Sequence, residues 1–554
     1  MAEITERILI VGGVAGGASC AARLRRVNEK AEIIIFDKGP FVSFASCGLP
    51  YFVGQVIAEE KDLLIATPQL FANRFNIQVR LHHEVISIDR ANRVLEVKNL
   101  ESGQISREKY TALVLSPGSS ANLPLIPGID LSGIFTLRTI GDSRKIKEWL
   151  VLKKVKKAAV IGAGFIGLET VENLVKLGLE VSLIEMLPQV MPNLDPDIAM
   201  RLQERLNSKG VSLHLGETVT RFAINNTGNN LSVHTRSGHV LECDLVILAT
   251  GVLPEVSLAR AAGLQIGELG GIRVTDRLQT SDSHIWAVGD AIEFRDFITG
   301  EWCLTPLAGP ASRQGRIAAD VIAGREARFR GTQGTMVCEV LGLTVASTGQ
   351  TEKLLKNLNV DYEKVYLFPG HHAGYFPGAK QLSMKLLFSP IDGKILGAQA
   401  VGEEGVDKRI DVISLAIQKG GTVYDLEEAE LCYAPQFGAA KDPVNLAGMI
   451  AANTLRGDSP LTHWQSLVKS DLYIVDVREP AEFAFGHVEG AVNIPLGNLR
   501  KRLNELPSEK ELAVYCGVGQ RSYYATRILY QNGFKVRNIS GGITAYRIQR
   551  QIPA

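Results

Sequence analysis

Twice in this chain an apolar strand runs into a glycine-rich turn, a helix, and a second apolar strand that ends on an acid. The first unit reads Arg7–Val11, then Gly12-Gly13-Val14-Ala15-Gly16-Gly17, a helix to about Asn28, and Glu32–Phe36 ending in Asp37. The second reads 158–161, then Gly162-Ala163-Gly164-Phe165-Ile166-Gly167, a helix to about Leu177, and 180–184 ending in Glu185. Buried strands alternating with helices specify parallel sheets covered on both faces, an α/β architecture. Each turn aims the first N–H groups of a helix, and the positive end of its dipole, at a site for a dinucleotide pyrophosphate. The second turn matches G-x-G-x-x-G in full, whereas the first carries Val14 in the middle position, and a plain tight turn competes with it there. The acids decide more. Asp37 can bind ribose hydroxyls there, a solvated surface carboxylate being the alternative. Glu185, followed by Met186 rather than a cation, accepts from a 2′-hydroxyl and repels a 2′-phosphate, so NADH is expected over NADPH.

A chain of 554 residues exceeds one core, so three or four domains are expected. The net charge of +1 supplies no global field for nucleic acid or a membrane surface. Ile8-Leu9-Ile10-Val11 meets glycine too soon to be a signal segment or a membrane span. Seven cysteines (Cys20, Cys47, Cys243, Cys303, Cys338, Cys432 and Cys516) include no C-x-x-C pair and no metal-ligand spacing. Such a set fits individual reactive thiols in a reducing cytoplasm, with no metal site.

Further strands end in turns at Ser116-Pro117-Gly118, Ala249-Thr250-Gly251 and Gly289-Asp290. From about Gly331 the pattern changes to strands and hairpins, one of them Lys385-Leu386-Leu387-Phe388 turning through Asp392-Gly393 into Ile395. The stretch 453–460 reads as a linker, and a compact α/β segment follows from Leu461. The expected division is 1–150 with 251–330, 151–250, 331–452 and 461–554.

Two cysteines sit in chemically suggestive contexts. Cys47 lies in Ser43-Phe44-Ala45-Ser46-Cys47-Gly48-Leu49-Pro50-Tyr51, shortly after the first unit. Cys516 ends an apolar strand and begins Cys516-Gly517-Val518-Gly519-Gln520-Arg521-Ser522. Backbone N–H groups of that loop can form an anion nest for a thiolate or for a persulfide's outer sulfur. Ser19, Arg23 and Arg26 share one face of the first helix, where planar guanidinium forks suit phosphate oxygens; a solvated basic face is the alternative.

The paired units with Gly289-Asp290 resemble the pyridine nucleotide–disulfide oxidoreductases over about 7–448. The resemblance implies FAD on the first unit, at Gly12, Val14, Ala15, Gly16, Gly17, Asp37, Gly118, Gly289 and Asp290. It implies NADH on the second, at Gly162, Gly164, Gly167, Glu185 and Gly251. Family members of the glutathione type carry a second cysteine five residues on, where this chain has Phe52, so a single cysteine must cycle. S-F-x-x-C-G-L-P-Y resembles coenzyme A-disulfide and CoA-persulfide reductases, and S-F-x-S-C also resembles NADH oxidases and peroxidases, which use a sulfenic acid. For the CoA branch the resemblance implies CoA contacts at Ser19, Arg23, Arg26, Ser43, Ser46, Ser312, His371 and Lys441. Ser46 and Ser312 stand where that branch carries Asn. Tyr375 and Tyr433 match tyrosines that the partner subunit contributes, which implies a two-fold homodimer. The segment from Leu461 resembles a rhodanese domain, with Cys516 as persulfide carrier and Arg521 beside it, and with Asp476 expected to buttress the loop through Arg521.

Together these features imply a fold of two Rossmann-like domains, an α+β dimerisation domain and a rhodanese domain. The implied activity is an FAD-dependent NADH:CoA-persulfide or polysulfide reductase supplied by small sulfane-sulfur donors. CoA-disulfide reductase and NADH oxidase or peroxidase are the alternatives.

Overall fold

The computed structural model describes residues 6–225, 230–467 and 471–551, so the expected domain ends at Met1 and Ala554 lie outside the described residues. The chain forms two compact units, Met1–Met186 with Glu217–Thr332, and Leu187–Gly216 with Gln333–Ala554. Residues 187–216, expected inside the second nucleotide domain, cluster with the second unit.

In the first unit, Arg7–Val11 pairs in parallel with Glu32–Phe36 and with Ala112–Leu115. Gln78–Arg80 and Ile285–Ala287 complete a five-stranded parallel sheet. Its interior strands are buried apolar runs, as two covered faces require. The helix Ala15–Val27 lies against the helix Ala308–Ile322, and a Cβ on Gly315 would sit 2.2 Å from the Gly16 carbonyl oxygen. Glycine at that crossing lets the two backbones touch. The second nucleotide sheet is built on Lys157–Ile161, flanked in parallel by Glu180–Glu185 and Leu245–Leu248, with Ile134–Thr136 beyond. The strand starts one residue before its apolar run because Lys157 pairs with Glu180 in register.

In the second unit, five antiparallel strands run in the order Met336–Val340, Leu343–Gly349, Ile395–Gly402, Ser383–Phe388 and Glu363–Leu367. Gly393 takes φ +72° in the expected Asp-Gly hairpin, a conformation that glycine adopts without strain. One strand residue that alternation does not explain is Lys385, which is fully buried. Its ammonium pairs with Asp195 at 2.9 Å, with Asp197 at 3.1 Å and with Glu352. The helix Pro443–Leu455 extends into the stretch expected as linker, and Asp458 N–H closes back on the Asn453 carbonyl. The C-terminal sheet is all parallel, in the order Leu461–Thr462, Val536–Ile539, Leu512–Tyr515, Tyr473–Asp476 and Val492–Asn493. Its Trp464, Tyr515, Ile543 and Ile548 pack in one cluster with Tyr366 and Phe368 of the antiparallel sheet.

Candidate active site

The first turn tolerates no side chain at its key positions. Gly12 has φ +91°, and a Cβ there would lie 2.1 Å from the Ser116 carbonyl oxygen; one on Gly17 would lie 1.9 Å from the Gly12 carbonyl oxygen. Val14 is the N-cap without a side-chain capping bond, so Ala15, Gly16 and Gly17 open the helix with N–H groups free of intrahelical partners. Asp37 accepts from the Gly13 N–H at 2.9 Å and the Gly39 N–H at 2.8 Å, while burial pushes its carboxyl upward. Gly289 has φ +85° and its N–H donates to Gln314 at 2.8 Å. Asp290 accepts from the Ser119 hydroxyl at 2.9 Å and from Arg138 at 3.2 Å, just past Gly118 at φ +75°. This cradle of bare backbone, a helix N-terminus and two oriented acids fits a dinucleotide such as FAD.

The second turn repeats the geometry. Gly162 has φ +103°, and a Cβ on Gly167 would lie 1.9 Å from the Gly162 carbonyl oxygen. A Cβ on Gly164 would meet nothing within 4 Å, so that glycine leaves open space above the helix N-terminus. Glu185 is buried and accepts from the Ala163 N–H at 2.7 Å. Gly251 has φ +91°. These residues fit a second dinucleotide.

Cys47 lies on the one-turn helix Ser46–Gly48, exposed, and directly ahead of the helix Leu49–Val53. Its loop is stitched to the first turn: Ser43, at φ +50°, donates its N–H to the Gly13 carbonyl at 2.8 Å. On its other side the Leu49–Val53 helix meets the second glycine helix. Tyr51 donates to Glu169 at 3.4 Å, and a Cβ on Gly54 would lie 2.1 Å from Asn173 Oδ1. The segment that carries Cys47 therefore bridges the first glycine turn and the second glycine helix. Desolvation by the surrounding chain raises its thiol pKa, as do Glu169 and Asp290, while Ser46 and Arg138 pull it down. Desolvation also holds the Glu169 carboxyl at about 7. Phe52 is buried beneath the ammonium of Lys147, 3.6 Å from its ring centre.

The basic helix face is only partly open. Arg26 is exposed and Ser19 half-buried, but Arg23 is held by Asp320 at 2.7 Å. Ser312 is exposed on the helix that carries Asp320, and Ser46 is half-buried. In the second unit, the Tyr375 and Tyr433 hydroxyls lie 2.9 Å apart, with the rings 76% and 49% exposed. That hydrogen bond raises the Tyr375 pKa, which keeps its phenol a proton donor. Lys441 is exposed, whereas His371 is buried, with Nδ1 accepting from the Lys380 N–H at 2.9 Å.

Cys516 ends the strand Leu512–Tyr515 and is 1% exposed. Its sulfur accepts from the Gly519 N–H at 3.2 Å and the Ser522 hydroxyl at 3.5 Å. The loop is shorter than expected, because Gln520 and Arg521 already belong to the helix Gln520–Gln531. The expected buttress is also corrected. Asp476 binds Arg478, at 2.6 Å, two residues away on its own strand end. Arg521 instead makes a two-pronged bond to Glu482, at 2.6 and 2.7 Å. Residues 542–544 brace the loop from behind, with Ile543 N–H on the Cys516 carbonyl and Thr544 N–H on that of Gly517.

Sequence reasoning missed Arg138, Gln314, Glu169, Arg478, Glu482 and Ser522. Only Glu482 carried a local signal, since Glu479 and Glu482 have the spacing of a capping box, which the structure forms. Among the described residues, no group of three or more His, Cys, Asp or Glu could hold a metal ion, and no helix is long and apolar enough to cross a membrane.

Comparison with known proteins agrees with this geometry. The family model described as pyridine nucleotide-disulphide oxidoreductase matches residues 6–315, its dimerisation domain matches 337–442, and a rhodanese-like domain matches 461–549. A coenzyme A disulfide reductase of Staphylococcus haemolyticus is 36% identical over 445 residues, 80% of this chain and 98% of that protein. A protein of Methanocaldococcus jannaschii named NADH oxidase is 35% identical over 455 residues, 81% of this chain and 99% of that one. The crystal structure of reduced Bacillus anthracis CoADR-RHD superposes with a TM-score of 0.96 at 45% identity, over 99% of both chains. An NAD-dependent persulfide reductase from A. fulgidus superposes with a TM-score of 0.89 at 35% identity, over 98% of this chain and all of that one.

Proposed function

We propose, starting from a chain that belongs to the pyridine nucleotide-disulphide oxidoreductase family and ends in a rhodanese-like domain, that it is an NADH-consuming reductase of CoA-persulfide and related polysulfides. The observation that carries this reading is the placement of Cys47. It has no partner cysteine five residues on and lies between two glycine turns, within electrostatic reach of both Asp290 and Glu169.

In this reading Gly12, Val14, Ala15, Gly16 and Gly17 hold the FAD pyrophosphate, with Asp37, Gly118, Gly289 and Asp290 on its sugar and ribityl side. Gly162, Gly164, Gly167, Glu185 and Gly251 hold NADH. When bound, the two cofactors supply the two-electron reduction that returns an oxidised Cys47 to its thiolate. Ser19, Arg23, Arg26, Ser43, Ser46 and Ser312 receive CoA. For Arg23 to bind phosphate it must share its guanidinium with Asp320, so Arg26 is the more open ligand.

The Cys47 thiolate attacks the outer sulfur of CoA-S-SH, and the CoA thiolate leaves with the electron pair. Cys47 then carries the sulfane sulfur as a persulfide until reduction releases it as sulfide. The Tyr375 and Tyr433 hydroxyls, offered by a partner subunit in a two-fold dimer, would donate to the departing thiolate. Glu169, balanced near neutrality, holds a proton beside the same cysteine. Cys516 takes sulfane sulfur from a donor and delivers it to CoA. The domain division that accompanies this reading is 1–150 with 251–330 for FAD, 151–250 for NADH, 331–452 for dimerisation and 461–554 for sulfurtransfer.

Steady-state turnover of NADH with CoA-persulfide, CoA disulfide, polysulfide and oxygen tests the reading. CoA-persulfide is expected as the preferred acceptor. Cys47→Ser should abolish its turnover with flavin still bound, and Cys516→Ser should spare preformed CoA-persulfide. Preference for CoA disulfide would favour a CoA-disulfide reductase. Preference for oxygen would favour an NADH oxidase.

A further inference from the structure

Among the described residues, the hydrogen-bond donors to the Cys516 sulfur are neutral, the Gly519 N–H and the Ser522 hydroxyl, and Arg521 meets it through charge alone. The loop's cation, Arg521, lies beside it, 3.6 Å from the position a side chain on Gly517 would take. Both prongs of that guanidinium are committed to Glu482. The geometry is the planar fork-to-carboxylate match, the strongest form of such a pair. Glu482 stays ionised at working pH, since its bond to Arg521 holds it down at about 2. Glu479 adds a second carboxylate within the field of Arg521. Arg478 is likewise spent, on Asp476 and the Gly486 carbonyl, and the exposed Arg547 lies against the Gly486 turn.

We propose that Glu482 is a specificity-determining residue: by neutralising Arg521 it makes Cys516 accept sulfane sulfur from a thiol persulfide, R–S–SH, and reject thiosulfate. Thiosulfate presents a dianion whose sulfonate end needs a cation at the mouth of the loop. A persulfide brings at most one charge, on the sulfur that the nest itself receives. The inference rests on Cys516 being a sulfurtransfer cysteine and names the donor class for that site. In the transfer, the Cys516 thiolate attacks the outer sulfur of R–S–SH. The Cys516–sulfur bond forms as the S–S bond of the donor breaks. The R-thiolate leaves with the electron pair and the proton stays on the transferred sulfur, so no outside oxidant or reductant is used.

The test uses the full-length protein without NADH, pantetheine persulfide and thiosulfate as donors, and peptide mass spectrometry to follow the gain of one sulfur atom at Cys516. The wild type should load from pantetheine persulfide far faster than from thiosulfate. Glu482→Gln keeps an oxygen for the Glu479 N–H that the carboxylate now accepts, yet releases the charge of Arg521. It should raise the thiosulfate-to-persulfide rate ratio by about tenfold or more, through the exposed cation alone. Glu482→Asp, which keeps the charge, should leave the ratio near that of wild type. A loss of folding would lower both rates together and cannot produce the change in ratio. Equal loading of the wild type from both donors, or a ratio unmoved in Glu482→Gln, overturns the inference while leaving Cys516 a sulfurtransfer cysteine. Loading from neither donor overturns that assignment itself.

Discussion

Two glycines three residues apart in the second turn should respond to alanine in opposite ways. In Gly167→Ala the new methyl falls 1.9 Å from the Gly162 carbonyl oxygen and 3.0 Å from its carbon. Carbon against a carbonyl oxygen is comfortable at about 3.3 Å or more, so the overlap exceeds about 1 Å. Both parties are backbone, and no rotamer relieves it. The helix Phe165–Lys176 must back away from the turn by a similar amount, at a cost of about 1–3 kcal/mol. A shift of that size moves the N–H groups that in the proposed reading would face the pyrophosphate, and on the order of 100-fold in kcat/KM for NADH should be lost. In Gly164→Ala the methyl meets nothing of the protein within 4 Å, and φ there is −79°, which alanine adopts freely. Only a bound dinucleotide can feel it. That variant should keep wild-type hydrogen-exchange protection across 157–176 and lose NADH affinity alone. The assay pairs exchange protection of that segment with steady-state kinetics in NADH. Wild-type protection and kinetics in Gly167→Ala, or equal loss of protection in both variants, would refute the steric argument.

Three further outcomes follow from buried charge. Glu169, raised from 4.5 to about 7 by desolvation, favours the folded state while protonated. The raised carboxyl stabilises most below about pH 4.5, and that stability is lost as pH rises through about 7. The swing is about 3 kcal/mol, so in protein free of nicotinamide Glu169→Gln should gain stability over wild type at pH 8 and not at pH 4, by urea unfolding. Lys385→Met removes the only cation paired with the buried carboxylates of Asp195 and Asp197 among the described residues, while Glu352 keeps Lys364 at 2.8 Å, and should cost about 3–5 kcal/mol in the same measurement. Asp476→Asn leaves Arg478 without its buried partner but does not touch the Arg521–Glu482 pair; it should lower the unfolding midpoint while leaving the donor preference of Cys516 as in wild type.

What the sequence disclosed and what it hid divide along the range of the interaction. The strands at Arg7–Val11, Glu32–Phe36 and Leu245–Leu248 were legible because burial on both faces writes a continuous apolar run. The turns at Gly12 and Gly162 were legible because positive φ and backbone contact admit glycine only. Asp37 and Glu185 were singled out as candidate ribose ligands from their places at strand ends, but their bonds to the Gly13 and Ala163 N–H groups were not foreseen. One oxygen of each acid thus holds its own turn in shape. Arg138 and Glu169 stayed hidden because they meet Asp290 and Tyr51 across 152 and 118 residues, and no periodicity encodes such pairs. Asp476 was assigned the wrong arginine for a local reason. Arg478, two residues on, closes on it within the same strand end, a shorter route than any bond to Arg521. The helix Pro443–Leu455 runs into the stretch read as a linker because polar Thr454 bonds its hydroxyl to the Ile450 carbonyl without leaving the helix.

In the proposed mechanism Cys47 alone carries sulfur in the reductive half of the cycle. Mixing protein whose Cys47 is a free thiol, cleared of reductant, with one equivalent of CoA-persulfide, without NADH and in a Cys516→Ser background, then mapping cysteine adducts by mass spectrometry, is the decisive experiment. One added sulfur atom is expected on Cys47, removed as sulfide when NADH is supplied. An unmodified Cys47 alongside undiminished sulfide release on NADH addition would contradict it.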